Sequence, residues 1–237
     1  MHTAKIAGIS VEVDRKNIKN LHLSVHPPLG RVRIAVPRHV TDDAIRLAVI
    51  NKLGWIKRQQ KRFAEQARQD VRRYVSGETH YFFGQKYRLQ AIPGGRYSLE
   101  FRGKGRLDFH VRDGSETHHR EAFFYDQCRE MLKQELEPLV EKWSQTLGVR
   151  ATDWQVRRMK TKWGSCTPRT GRILFNLELV KKSHRCIEYI VVHELIHLIE
   201  RNHGDRFVAL MDKYLPNWKA CRVELNEAPL ASENWEY

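Results

Sequence analysis

The residues best suited to chemistry are His193-Glu194-Leu195-Ile196-His197, with His203 six positions further on in Asn202-His203-Gly204-Asp205. A helix advances 3.6 residues per turn, so positions i and i+4 share a face, and His193 and His197 can reach one ion. Two neutral imidazoles at that offset suit zinc, and the carboxylate of Glu194 between them can accept a proton from a metal-held water. His203 is the natural third ligand. Three protein ligands leave a fourth position open, the arrangement of a catalytic zinc site rather than a closed structural one.

The context supports a metal. Ile187, Tyr189, Ile190, Val191 and Val192, with Leu195, Ile196, Leu198 and Ile199, make this helix apolar nearly all round, as expected of one buried in a core. Ionisable groups inside such a helix are costly unless paired or bound to an ion; a satisfied polar core is the alternative. For the third ligand, Glu200, Glu224 and Glu227 compete with His203, by analogy with sites of two His and a Glu. Imidazole needs less help than a distant carboxylate to complete such a site, which favours His203. Asn202 and Gly204 tolerate left-handed backbone, so the helix is expected to end near Asn202 and swing His203 back towards the ion.

The elements that must position these residues follow from periodicity. Residues 117 to 147 read as a long helix with Phe123, Phe124, Cys128, Met131, Leu132, Leu136, Leu139 and Val140 at mostly helical spacing, Pro138 as a candidate kink, and an end before Gly148. His118 and His119 are adjacent, point different ways and are expected at the surface. Trp154 to Met159 and Arg172 to Leu177 read as strands around Lys160-Thr161-Lys162-Trp163-Gly164-Ser165-Cys166. Phe207 to Tyr214 and Pro216 to Glu227 read as closing helices.

Further forward, residues 5 to 13, 20 to 26 and 31 to 36 read as short strands. Thr41-Asp42-Asp43 then caps one long helix that buries Ala44, Ile45, Ala48, Val49, Leu53, Trp55 and Ile56. Its other face is basic, through Lys52, Lys57, Arg58, Lys61 and Arg62, and suits either phosphates or plain solvation. Residues 75 to 111 read as an antiparallel meander. Arg112-Asp113-Gly114-Ser115 has the composition of a boundary, and no repeat is evident. The expected architecture is therefore α+β: a basic, β-rich part with one long helix over residues 1–115, then a helical domain with a small antiparallel sheet over 116–237 that carries the candidate metal site.

The chain's 237 residues, 41% of them hydrophobic, are enough for a substantial core. No stretch approaches 18 apolar residues, and the N-terminus lacks the apolar run of a signal peptide, so a soluble, cytoplasmic protein is expected. Cys128, Cys166, Cys186 and Cys221 form no C-x-x-C pair, which suits reduced thiols. The net charge is +14, and residues 1–115 hold 23 Lys and Arg against 10 Asp and Glu. An anionic partner or substrate, nucleotide or nucleic acid, is one reading of that excess; a solubilising surface is the other.

Trp163-Gly164-Ser165-Cys166, Asn176 and the His193 to His203 motif resemble the YgjP-like metallopeptidase family of bacteria, similar in style to the SprT-type proteases. Arg15 to Val25, Trp55-Ile56 and Gly84-Gln85-Lys86-Tyr87 also look like that family's pattern. The resemblance implies a zincin-like metallopeptidase domain over residues 116–237, and a zinc-dependent hydrolase with His193, His197 and His203 as ligands and Glu194 as the catalytic residue. Nucleotide pyrophosphatase activity, on UTP for instance, is also attributed within the family. Val208 stands where an aromatic often follows the Phe, and Ser183-His184 where a Pro is common. The Trp-Gly-Ser-Cys segment is either a strand end packed beside the metal helix or a wall for substrate, with Lys160, Lys162, Trp163 and Ser165 as candidate contacts. Another divalent metal could replace zinc, and a nucleic-acid-binding protein with a structural zinc site is the competing class.

Overall fold

In the computed structural model, which describes residues 2–26, 29–65, 72–159 and 162–227, the strand expected over residues 5–13 is a hairpin. Ile6 and Ile9 pair across Ala7-Gly8, whose φ angles of 46° and 80° are both left-handed. Such a two-residue turn matches the twist of the strands it joins. The front sheet comprises β1 (His2–Ile6), β2 (Ile9–Lys16), β3 (His22–His26) and β4 (Arg31–Pro37), in the order β1-β2-β4-β3. β2 and β4 run parallel; the outer pairs are antiparallel. Side chains alternate across a strand, so Val11, Val13, Val32, Ile34 and Val36 all face inward and are buried.

Ile45 and Val49 of α1 (Asp42–Asn51) and Ile56 of α2 (Leu53–Glu65) complete that core. The Thr41 hydroxyl caps α1 by accepting the Ala44 N–H at 3.3 Å. The single long helix expected here is two, interrupted at Lys52 (φ −104°, ψ 8°). Asn51 and Gly54 flank the break and are weak helix formers. Lys52, Lys57, Arg58 and Lys61 are exposed.

The second sheet comprises β5 (Thr79–Phe82), β6 (Gln85–Pro93), β7 (Ser98–Arg102) and β8 (Arg106–Val111), in the order β5-β6-β8-β7. It is not the expected meander, because β6 and β8 pair in parallel while β7 folds back on β8 through Lys104 and Gly105 (φ 62° and 69°). Its topology repeats that of the front sheet, down to a left-handed two-residue turn at Phe83-Gly84 (φ 49° and 81°). The repeat lies in backbone pairing and in the spacing of buried positions, not in side-chain identity.

α3 (Thr117–Leu147) follows, with Phe124, Cys128, Leu132, Leu136, Val140, Trp143 and Leu147 buried at helical spacing. It runs through Pro138 and ends at Gly148 in a left-handed cap (φ 66°). Phe124 packs its ring against Phe82 and Phe109, at centroid distances of 5.7 and 6.0 Å. Residues 72–111 therefore share the core of α3, and the compact units part between residues 71 and 72 rather than at 115. The boundary-like composition of residues 112–115 marks only a turn into α3.

A third sheet, β10-β11-β9, joins β9 (Asp153–Arg157), β10 (Gly164–Thr167) and β11 (Arg172–Asn176). It is mixed rather than antiparallel, since β11 pairs antiparallel with β10 and parallel with β9. A 3-10 turn (Leu177–Lys181) leads into α4 (His184–Ile196), α5 (Asp205–Tyr214) and α6 (Trp218–Glu227). Among the described residues no helix is long and apolar enough to cross a membrane.

Candidate metal centre

α4 is held at both ends by hydrogen bonds. At its N-terminal end the Ser183 carbonyl accepts the Cys186 and Ile187 N–H groups, while the Ser183 hydroxyl donates to Glu224 at 2.6 Å. Arg185 donates to the same carboxylate at 2.6 Å. Glu224 is thus engaged about ten residues, or ~15 Å at 1.5 Å per residue, before His193, and is not a ligand. The Glu200 carboxylate accepts the Asn202 N–H at 3.1 Å and faces Arg206, holding the loop after α4. The side chain of Glu227 lies outside the described residues.

Helix geometry ends at Ile196, six residues earlier than expected, and His197 occupies the C-cap. His197 Nδ1 lies 3.1 Å from the Glu200 carbonyl, which accepts the Nδ1–H hydrogen bond and so leaves the Nε2 lone pair to coordinate. The loop then brings His203 back, its Nε2 3.0 Å from His193 Nε2. One nitrogen from each of His193, His197 and His203 falls within 4.8 Å of the others. Among the described residues this is the group of His, Cys, Asp and Glu able to hold an ion. The buried Phe207 of α5 supports all three rings, at centroid distances of 4.9, 4.9 and 4.7 Å. In the sequence Phe207 marks only the start of a helix, and its spacing of four from His203 is the one local sign of this packing.

The electrostatics suit a cation. Burial, reinforced by the neighbouring imidazoles, holds His193 at a pKa of about 3, and burial likewise lowers His197. Both rings are therefore neutral lone-pair donors. Three converging imidazoles, two of them held neutral by burial, fit a borderline-soft divalent ion such as zinc. Glu194, only 4% exposed, is pushed up to about 8 by burial, against the opposing pull of the Lys162 charge and the Cys166 backbone amide.

These groups open on a cavity of about 820 Å³ between β10 and α4. Lys162, Trp163 and Ser165 line it as expected residues, and Lys160 lies outside the described ones. Arg169, Arg201 and Arg222 line it too and were not foreseen, since only the tertiary fold gathers them. Glu194 is the one acidic side chain among the lining residues. Behind the wall, the ammonium of buried Lys182 sits 4.9 Å from the Trp163 ring, and burial lowers its pKa to about 8.

Asn176 fixes this wall from beneath. Its Nδ2 donates to the carbonyls of Met159 and Lys162 at 2.7 and 2.8 Å. Its Oδ1 accepts the N–H groups of Met159 and Glu178, each at 3.2 Å. Its own N–H donates to the Trp163 carbonyl at 2.9 Å. One buried side chain thereby joins the segment before Trp163 to the turn leading into α4.

No curated protein matches the chain. Among solved structures, it is similar to the metallopeptidase zymogen jannalysin of Methanocaldococcus jannaschii, with 22% identity, a TM-score of 0.35, and coverage of 38% of this chain and 87% of that one. The metallopeptidase zymogen abylysin of Pyrococcus abyssi is similar at the same identity, TM-score and coverage of this chain, with 90% of its own length covered. The family model described as "YgjP-like, metallopeptidase domain" matches residues 19–228, a span that includes His193, Glu194, His197 and His203. With that match spanning most of its length, the chain belongs to the YgjP-like family of metal-dependent hydrolases.

Proposed function

We propose that the protein is a zinc-dependent hydrolase in which His193, His197 and His203 hold the ion and Glu194 is the general base. The observation that carries this reading is a buried carboxyl group beside three converging imidazoles on the wall of an open cavity. A bound zinc ion would polarise the attacked carbonyl or phosphoryl oxygen and bring the pKa of a water to about 7. Glu194 accepts the proton of the attacking water and delivers it to the leaving group. Burial raises its basicity, and the positive charge of a bound ion would pull it back towards the carboxylate form that accepts a proton. The Glu200 carbonyl behind His197 keeps that ring's Nε2 turned inward.

A second reading, nucleoside triphosphate pyrophosphatase activity on the same site with UTP as an example, is favoured by the cationic lining of Lys162, Arg169, Arg201 and Arg222. Those side chains match a polyanion better than a neutral peptide. A nucleic-acid-binding role with a merely structural zinc fits less well, because structural sites are closed whereas this triad faces a cavity. The four free thiols support a reducing, cytoplasmic location.

The test is release of UMP and pyrophosphate from UTP, measured beside casein cleavage, with zinc-loaded protein and its Glu194→Gln variant. Glu194→Gln is expected to keep zinc and lose turnover by roughly 10²- to 10⁴-fold, the scale of general-base catalysis. An unchanged rate on whichever substrate is turned over would refute the role of Glu194.

A further inference from the structure

Gly164, the first residue of β10, pairs with Phe175 of β11 in ordinary strand register. Its φ lies outside the left-handed range, so any residue could adopt its backbone conformation. What singles it out is the space where a side chain would stand. A Cβ there would lie 2.3 Å from Oε1, 2.6 Å from Cγ and 2.7 Å from Cδ of Glu194. Each distance is well inside van der Waals contact, so with a Cβ there the carboxylate could not keep its present position. Two residues on, the Cys166 backbone amide acts as a hydrogen-bond donor to the same carboxylate. Asn176 fixes the chain on the other side of Gly164 through Met159, Lys162 and Trp163.

We propose that Gly164 is a positioning residue for the general base: its missing side chain is the seat of the Glu194 carboxylate, and the Cys166 amide holds it there. This rests on the reading of Glu194 as the base. The strand contributes a vacancy rather than a functional group, and the anchored β10 keeps that vacancy in place. Any Cβ at position 164 turns the carboxylate away from the cavity while leaving the three imidazoles in position.

The test is a double-substitution cycle of Gly164→Ala and Glu194→Ala. Its first readout is the thermal unfolding midpoint of the metal-free protein. Gly164→Ala is expected to lower the midpoint when Glu194 is present and to leave it nearly unchanged in the Glu194→Ala background, where the three clashing atoms are gone. Equal losses in both backgrounds would overturn the proposal, because the glycine would then serve packing elsewhere. A second readout is zinc content and turnover of Gly164→Ala, with one zinc per chain expected alongside a kcat at least tenfold lower and a KM changed less than kcat. Parent-level kcat in that variant would overturn the proposal while leaving Glu194 as the base. Full activity of Glu194→Gln would instead overturn the underlying reading, whatever the stability cycle gives.

Discussion

At the scale of single residues, Asn176 has four side-chain partners to lose. All four of its side-chain hydrogen bonds go to backbone groups, and it is 4% exposed. Asn176→Asp keeps the shape but sets a carboxylate oxygen against the Met159 and Lys162 carbonyls. Urea unfolding should show a loss of about 1–3 kcal/mol, the cost of leaving buried donors or acceptors unmatched. The histidines give a pH prediction. His80, His193 and His197 all titrate below their usual 6.5 because burial disfavours the charged ring. Below pH 6.5 these three histidines bind more protons in the unfolded chain, which weakens folding as pH falls, whereas Glu194, raised to about 8, opposes them by keeping its proton in the folded chain. The unfolding midpoint of the zinc-free Glu194→Gln protein, where that opposition is gone, should drop steadily from pH 7 to pH 5; a flat profile would contradict this. The spacing of His193, Glu194 and His197 was legible because i, i+4 geometry is local. His203 needed a guess about a loop, and the helix stopped earlier than that guess. Arg169 and Arg222 carry no local signature at all, since they meet the site only through the fold.

At the scale of elements, alternation and helical spacing disclosed which side chains turn inward, but not which strand pairs with which. Val11, Val13, Val32, Ile34 and Val36 announce buried strand faces, yet nothing in them announces that β2 and β4 run parallel. The hairpin at Ala7-Gly8 was missed because an alanine with φ 46° is an unusual first residue for such a turn. The end of α3 was legible, because Gly148 suits the left-handed cap. Gly148→Ala should lower stability by about 1 kcal/mol, read as a reduced melting temperature. Thr41→Ala, which removes the cap of α1, should lower stability by a similar ~1 kcal/mol.

At the scale of the whole molecule, residues up to 71 and those from 72 have separate hydrophobic cores. Folding units with separate cores need not melt together. Calorimetry should resolve two transitions, and added zinc should raise only the one belonging to the unit with His193, His197 and His203. The shift follows from binding to the folded form alone and grows with free zinc. A single transition, or two that move together, would show that the units unfold as one. The charge excess of residues 1–115 makes a separate prediction: if an anionic polymer is the partner, its affinity should fall steeply with salt as counterions are released.

The matched topology of the two four-stranded sheets has a consequence for folding fidelity. A chain with two like modules runs the risk that a strand of one enters the other, the exchange typical of repeated folds. The cores differ in size in a way that guards against it. The front module is filled by Ile6, Val11, Val13, Val32, Ile34 and Val36, and the second by Phe82, Leu89, Leu107, Phe109 and Val111. A phenylalanine strand placed among valines overfills the front core, and a valine strand placed among the aromatics leaves cavities; each error costs kilocalories. Side-chain volume thus enforces the pairing that backbone pattern alone leaves ambiguous.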